Sequence, residues 1–245
     1  MDNKYWVPAI EKADAVLADI AREPGKLRLI DLSKRTGINK SSLFSLLNTL
    51  EKLNWIRKDK DDTFRIGPGL GTFAGGYFKE HNLIASFRLE APGTAAAVEE
   101  SIQLAELVGS DVLYLAKEEF PGLVRLTTEP GMRLPAHTTA LGKVLLSFLT
   151  DEKIKGLYSS VSFQLATPNT ISNLSMLIEA LHQVREAGVG EDNEEAVQGI
   201  CCIAMPIIRG GQAVAAVSCS MLKHRWETKK ELVLQELKAL AARLS

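Results

Sequence analysis

Leucine recurs at helical spacing between residues 43 and 53 of this chain. The leucines fall at positions i, i+3, i+4, i+7 and i+10, which predicts a single apolar stripe along an amphipathic helix. They are Leu43, Leu46, Leu47, Leu50 and Leu53. A shorter helix is predicted over residues 30–36, and Gly37 between the two can adopt the positive φ of a tight turn. Asn39 can cap the leucine-rich helix, since its side-chain oxygen can reach N–H groups of the first turn.

The flanking segments complete a small domain. A first helix is predicted to begin near Pro8 and to end at Pro24-Gly25. Its apolar face would consist of Ile10, Ala13, Leu17 and Ile20. After the leucine-rich helix, residues 55–58 and 63–66 predict two short strands joined around Asp61-Asp62. Three helices followed by a β-hairpin indicate a winged helix-turn-helix.

The face opposite the leucine stripe carries short polar and basic side chains, which suit phosphates and base edges in the DNA major groove. The candidate DNA contacts are Asn39, Lys40, Ser41, Ser42, Ser45, Asn48, Thr49 and Lys52 on this helix and Lys58, Lys60 and Arg65 on the hairpin. Phe44 could touch a thymine methyl group or pack against the first helix, and packing is the preferred interpretation. A purely structural helical pair with a solvated face would show the same pattern.

The remainder of the chain changes from helices to strands. Gly67-Pro68-Gly69 breaks the chain, a helical linker follows, and a further helix is predicted from residue 83 towards residue 99, interrupted near Pro92-Gly93. A hairpin is predicted over residues 103–117 around Gly109-Ser110-Asp111, with a third strand over residues 123–129. These boundaries predict a DNA-binding domain over residues 1–67, a linker helix over 68–82 and a second domain over 83–245.

The second half of that domain alternates again. Helices are predicted over residues 140–148, after Thr150, and over 174–184 with an end at Gly188. Apolar strands over 202–208 and 213–221 are joined through Gly210-Gly211, and the C-terminus is helical. The fold class is therefore a two-domain α+β protein with an antiparallel sheet in a sensor-like second domain.

Composition narrows the function. The chain has 29 basic and 30 acidic residues and a net charge of −1, which excludes a generic polyanion binder. Residues 1–66 hold 13 of the basic and 10 of the acidic residues, so only the N-terminal domain is slightly basic. No signal peptide or membrane span is predicted. Three cysteines without a CxxC spacing indicate neither a disulfide framework nor zinc, so we expect no metal or other cofactor and a reducing cytoplasm.

Three blocks of sequence carry a resemblance to a known family. The first block is LSKRTGINKSSLFSLLNTLEKLNWIRKD with FRIGPGL, the second is LPAHTTALGKVLLSFL, and the third is GEDNEEAVQGICCIAMPI with AVAAVSCS. In this order they resemble the IclR family of bacterial transcriptional regulators over nearly the whole chain. The resemblance implies a GAF-like effector domain, dimerisation through the head and linker helix, and dimers of dimers through the effector domains. It also implies binding to inverted-repeat operator DNA, and we expect repression of a catabolic operon.

The resemblance further implies a pocket for a small 2-oxo acid or related carboxylate. Backbone N–H groups of Ala140 and Leu141 would hold the carboxylate at a helix start, where the helix dipole favours an anion. An acid, a thiol and paired hydroxyls would complete the pocket. The matching positions are Asp192, Cys202, Ser218 and Ser220, and His137 is a further candidate. Hydroxyls two residues apart on a strand share one face and can donate to a second oxygen.

Each of these residues also has a structural interpretation. Cys202 can be a small core residue, Asp192 can cap a turn, and the face that Ser218 and Ser220 share can point to solvent. His137 can bond a loop carbonyl, which is the preferred interpretation. Lys143 can add charge near an anion, although a helical lysine more often points to solvent.

One position departs from the family pattern. Relatives place an arginine ahead of the Leu-Leu pair of the recognition helix, where this chain has Ser45. Serine reads bases weakly, whereas arginine reads guanine through two hydrogen bonds. We therefore expect base reading to depend on the other polar residues of the helix or on DNA shape.

Two other functions are compatible with parts of the sequence. A hydrolase can be assembled from Cys202, His137 and Asp192, but no feature of the apolar run around Cys202 would activate a thiolate. Gly142-Lys143 lacks the upstream glycine and the following hydroxyl of a phosphate-binding loop. A regulator that acts without a ligand is the second alternative, and the intact polar set argues against it. The sequence predicts a regulator rather than an enzyme.

Overall fold

The computed structural model describes residues 6–80, 82–121 and 128–245. The chain divides into two compact units, Met1–His81 and Asn82–Ser245, which we call the head and the body. No helix among the described residues has the length and hydropathy needed to span a membrane.

The head has the predicted winged helix-turn-helix. Its helices and hairpin strands are Pro8–Arg22 (α1), Leu29–Thr36 (α2), Lys40–Lys52 (α3), Ile56–Lys58 (β1) and Phe64–Ile66 (β2). A further helix, Pro68–Glu80 (α4), follows the hairpin. Apolar side chains from all three N-terminal helices and both strands form one core. The leucine stripe of α3 packs into this core, so the opposite, polar face of α3 lies at the surface of the head.

The turn between α2 and α3 forms as the sequence predicts. Gly37 has φ 69°, which favours glycine. The side-chain oxygen of Asn39 accepts the backbone N–H of Ser42 at 2.9 Å and so caps α3. On the apolar stripe, Leu43, Leu47 and Leu50 are buried.

The predicted face of α1 was wrong in detail. Ala13, Val16 and Ile20 are buried, because they recur at helical spacing. Ile10 is exposed and Leu17 is only partly buried. The stripe of α3 is also shorter than predicted, since Leu53 follows the last residue of the helix and is half-exposed.

The body begins with a continuous helix, Asn82–Val98 (α5), where the sequence predicted an interruption. Pro92 lies inside this helix, and the buried side chains of Phe87, Ala91 and Ala95 flank it. Proline normally costs a helix one hydrogen bond. Packing of these side chains on both sides of Pro92 explains why α5 nevertheless continues.

Six strands of the described part of the body form one antiparallel sheet. They are Ile102–Val108 (β3), Asp111–Glu118 (β4), Arg133–Pro135 (β5), Gly190–Asn193 (β6), Ile200–Arg209 (β7) and Gln212–Leu222 (β8). Their order in the sheet is β5-β4-β3-β8-β7-β6. The sequence did not predict β5 and β6, which are short edge strands with few β-forming residues. Residues 123–127 of the predicted third strand lie outside the described residues.

Helices cover this sheet. They are Ala140–Leu146 (α6), Asp151–Leu157 (α7), Leu174–Ala187 (α8) and Lys223–Leu244 (α9). Side chains of α6 and α8 share an apolar cluster with the sheet residues Tyr114, Ala204 and Ala216. A Cβ atom on Gly142 or Gly190 would collide with the backbone around Ala136 or Ala140, so both glycines allow α6 to approach its neighbours closely.

Candidate DNA-binding surface and effector cavity

The polar face of α3 is open to solvent. Its exposed side chains are Lys40, Ser41, Ser42, Ser45, Thr49 and Lys52; Asn39 is exposed and Asn48 is half-exposed. Several hydroxyls are already bonded to the helix: Ser45 donates to the carbonyl of Ser41 at 3.2 Å and Thr49 to that of Ser45 at 2.9 Å. These hydroxyl oxygens keep lone pairs that can accept hydrogen bonds.

The three hairpin cations predicted to contact DNA, Lys58, Lys60 and Arg65, are all exposed. Lys58 pairs with Asp62 at 2.6 Å and Arg65 with Asp59 at 2.6 Å. These pairs hold the hairpin cations in place, and the pair with Asp62 raises the pKa of Lys58. Lys60 is exposed at the turn of the hairpin, so its charge is available to a phosphate.

The packing interpretation of Phe44 was wrong. The ring is 57 % exposed on the same surface as the polar face of α3. It borders a shallow cavity with Leu29 and Ile30 of α2, not a buried position against α1. An exposed aromatic ring on this surface can contact a thymine methyl group.

The body contains a cavity of about 260 Å³ between the sheet and the start of α6. The residues that line it are Gln103, Tyr114, Thr128, Leu134, Thr139, Ala140, Leu141, Asp192, Ala196, Val197, Ile200, Cys202, Ser218 and Ser220. The cavity lies below the volume range usual for drug-sized ligands, so it suits a small metabolite. Six of the seven residues predicted for the effector are therefore brought together.

The start of α6 forms one side of the cavity. The Thr139 hydroxyl caps the helix by accepting the N–H of Gly142 at 2.9 Å. The N–H groups of the first helical turn have no partner within a helix. Ala140 and Leu141 belong to this first turn and line the cavity. This is the place where the resemblance expects a carboxylate.

The two serines of β8 face the cavity and not solvent. Both Ser218 and Ser220 are buried and line the cavity. Their strand, β8, lies in the middle of the sheet beside β3. Opposite Ser220, Cys202 of β7 places its Sγ 3.1 Å from the serine Oγ. Burial raises the pKa of this thiol well above its usual range, which argues against an activated nucleophile.

Asp192 both caps a turn and faces the cavity. Its Oδ1 accepts the backbone N–H of Glu195 at 2.6 Å, and its side chain lines the cavity while only 2 % of the residue is exposed. Burial raises the pKa of Asp192 to about 6, against the opposing effect of the N–H from Glu195. At neutral pH the carboxylate is mostly ionised and accepts hydrogen bonds.

Lys143 does not point to solvent. It is buried and its Nζ donates to Oε1 of Glu195, 52 residues further along the chain. The other oxygen of Glu195 is buried without a hydrogen-bond partner among the described residues. The pair joins α6 to the loop that follows Asp192, so both sides of the cavity depend on it.

His137 lies away from the cavity, and both proposed roles for it were wrong. It is buried, and neither ring nitrogen has a hydrogen-bond partner in the described part of the chain. Its ring packs against Tyr158, with centroids 5.9 Å apart, and against Phe163, with centroids 4.8 Å apart. The structure therefore does not bring Cys202, His137 and Asp192 together as a hydrolase would require.

Replacing His137 with phenylalanine is expected to raise the free energy of unfolding by about 1–3 kcal/mol near neutral pH, because two unsatisfied buried nitrogens are removed. Burial lowers the pKa of His137 below the 6.5 of an unfolded chain. The wild-type protein thus loses stability as the pH falls below about 6.5, and His137→Phe should lack this loss. Urea unfolding at several pH values measures both effects; equal or lower stability of the variant at neutral pH would refute the argument.

Sequence reasoning missed five polar residues of this region. Gln103, Tyr114, Thr128 and Thr139 line the cavity, and Glu195 pairs with Lys143. Gln103 lies on β3 directly opposite Ser218. For Gln103, the signal in the sequence was a glutamine within an apolar strand. No group of three or more metal-binding side chains occurs within the described ranges.

Comparison with known proteins gives matches over both units. The family model described as the IclR helix-turn-helix domain matches residues 9–60. The model described as Bacterial transcriptional regulator IclR C-terminal matches residues 75–245. Together the two models span nearly the whole described chain.

Individual relatives agree with these matches. The HTH-type transcriptional regulator KdgR of Escherichia coli K12 is 28% identical, covering 96% of this chain and 88% of its own. The HTH-type transcriptional repressor AllR of Salmonella typhimurium is 28% identical, covering 96% and 89%. An IclR homolog from Microbacterium hydrocarbonoxydans, solved in complex with 4-hydroxybenzoate, has the same fold with a TM-score of 0.77 at 20% identity, covering 96% and 97%.

Proposed function

The chain belongs to the IclR family of bacterial transcriptional regulators, and we propose that it is a repressor controlled by a small carboxylate bound in the body. As a family member it is a DNA-binding regulator and not an enzyme. A relative of similar length is named a repressor, which supports repression here. The proposed target is a catabolic operon.

The cavity of the body is the observation that carries the proposed effector. It combines buried polar side chains of β6, β7 and β8 with the N-terminal turn of α6. The homologue solved with 4-hydroxybenzoate holds a carboxylate, which supports the same ligand chemistry in this chain. The proposed effector is a small 2-oxo acid or a related carboxylate that contacts Ala140, Leu141, Asp192, Cys202, Ser218 and Ser220.

The proposed DNA partner is a double-stranded inverted repeat. A symmetric dimer would place its two α3 helices in half-sites about one helical turn, ~34 Å, apart or a multiple of it. Exposed apolar side chains on α1 and α4 support self-association of the head, since such patches favour protein contacts. They include Ile10, Phe73 and Phe78. The proposed assembly is a homodimer that can pair into a dimer of dimers.

We expect the purified protein to shift DNA from upstream of its own gene at low salt. Small carboxylates should raise the thermal melting temperature, because a ligand that binds only the folded state stabilises it. The double variant Cys202→Ser, Ser220→Ala should still bind DNA but respond less to the ligand. Failure to shift any DNA from its own locus would contradict the regulator; stabilisation by bulky aromatic ligands alone would contradict the small-acid cavity.

A further inference from the structure

A chain of polar side chains crosses the floor of the cavity from β7 to β3. The Sγ of Cys202 lies 3.1 Å from the Oγ of Ser220, and that Oγ lies 3.4 Å from the Oε1 of Gln103. The Nε2 of Gln103 in turn donates to the hydroxyl of Thr128. Gln103 is 2 % exposed, so its amide is held between these two neighbours.

The chemistry of each atom fixes where the protons point. The amide atom of Gln103 that lies next to Ser220 is the oxygen, which can only accept, so Ser220 donates its single proton to it. The thiol of Cys202 then donates to Ser220. Thr128 accepts from the amide of Gln103 and keeps its own proton free to donate.

These directions decide what the cavity offers to a ligand. Ser220 offers a lone pair but no proton, whereas Thr128 offers a proton. The buried carboxylate of Asp192, whose Oδ1 is already bonded to the N–H of Glu195, adds further acceptor capacity. A ligand group among these three side chains has to donate to Ser220 or Asp192 and accept from Thr128.

A hydroxyl group can donate and accept at once. A carbonyl oxygen only accepts, so it would face the lone pairs of Ser220 and Asp192 without a proton between them. An ammonium group only donates and would face the proton of Thr128. A neutral hydroxyl therefore matches Ser220, Asp192 and Thr128 best.

We infer that the cavity selects carboxylates that carry a hydroxyl group, and that Gln103 determines this selectivity by holding the proton of Ser220. The inference rests on the proposed carboxylate effector and narrows its class. A 2-oxo acid satisfies it only when the acid also bears a hydroxyl. The serine pair alone predicts neither the role of Gln103 nor the direction of the hydrogen bonds, because serine hydroxyls could equally donate to a ligand.

Two matched series of acids test the selectivity on the wild-type protein by isothermal titration calorimetry. The first is lactate, pyruvate, alanine and propionate; the second is 3-hydroxybutyrate, acetoacetate, 3-aminobutyrate and butyrate. Within a series only one substituent changes. In at least one series we expect the hydroxy acid to bind roughly tenfold more tightly than the oxo acid, the effect of about one hydrogen bond.

The variant Gln103→Leu tests the role of the amide. Loss of the acceptor frees the proton of Ser220 to point into the cavity, so the preference for the hydroxy acid over the oxo acid should fall by roughly tenfold. Gln183→Leu makes the same change on the exposed side of α8 and should leave the preference as it is in wild type.

The outcomes separate the two claims. Tighter binding of the oxo acid or the amino acid in both series would overturn the inference while the carboxylate effector stands. An unchanged preference in folded Gln103→Leu would overturn the role of Gln103. Absence of binding by every acid of both series would overturn the proposed effector itself, and the inference with it.

Discussion

Replacing Lys143 with methionine is expected to lower the free energy of unfolding by about 3–5 kcal/mol, because it leaves the buried charge of Glu195 without its partner. Both residues are less than one-tenth exposed, and one oxygen of Glu195 already lacks a partner among the described residues. The carboxylates of Glu195 and Asp192 already repel each other, and Lys143 offsets this repulsion. The substitution removes that compensation. The loss therefore combines desolvation with repulsion.

Urea unfolding of the single and double variants measures this effect. Lys143→Met combined with Glu195→Leu removes both charges and should recover most of the stability, since buried pairs replaced by apolar residues are often neutral. Lys230→Met is the control: its partner Glu191 is 40% exposed, like Lys230 itself, and such surface pairs contribute at most about 1 kcal/mol. A loss in Lys143→Met no larger than in this control would contradict the account.

Raising the salt concentration from 50 to 200 mM is expected to weaken operator binding about 10³-fold. A protein that neutralises six or more phosphates loses roughly this much affinity, because bound counterions are released on association. Each head presents exposed basic residues on α3 and the hairpin. They are Lys40, Lys52, Arg57, Lys58, Lys60 and Arg65. A symmetric dimer therefore has enough cations for such a contact number.

Lys60→Ala should reduce the slope of log affinity against log salt by about two, one phosphate for each head of a dimer. Binding should weaken similarly for all operator sequences, because phosphate contacts carry no sequence information. Lys155→Ala on the exposed side of α7 in the body is the matched control and should leave the slope unchanged. Titrations of labelled operator DNA measure both slopes; equal slopes for the two variants would exclude Lys60 from the interface.

The head follows closely from local sequence signals. The turn at Gly37, the cap at Asn39 and the buried leucines of α3 each depend on residues a few positions apart. Periodicity alone did not fix which side chain of α1 faces inward, since Val16 and Leu17 are adjacent apolar residues. Periodicity also did not predict that Phe44 is exposed, because exposure depends on the packing of three helices and not on the spacing within one.

The cavity was only partly predictable. Alternation along β8 placed Ser218 and Ser220 on one face, as strand geometry requires. The position of Gln103 depends on the register that pairs it with Ser218, more than one hundred residues away. The pair of Lys143 with Glu195 and the isolation of His137 likewise depend on long-range packing. Short local patterns carry no information about these contacts.

The central claim is that the state of the cavity in the body changes the affinity of the head for DNA. The direct test is the affinity of wild type and Asp192→Asn for operator DNA, with and without a saturating concentration of the tightest-binding acid of the two series. We predict a 5- to 150-fold change in wild type, corresponding to a coupling of about 1–3 kcal/mol. Asp192→Asn should bind free DNA like wild type and show little change at the same acid concentration. An unchanged wild-type affinity at saturation would contradict the claim.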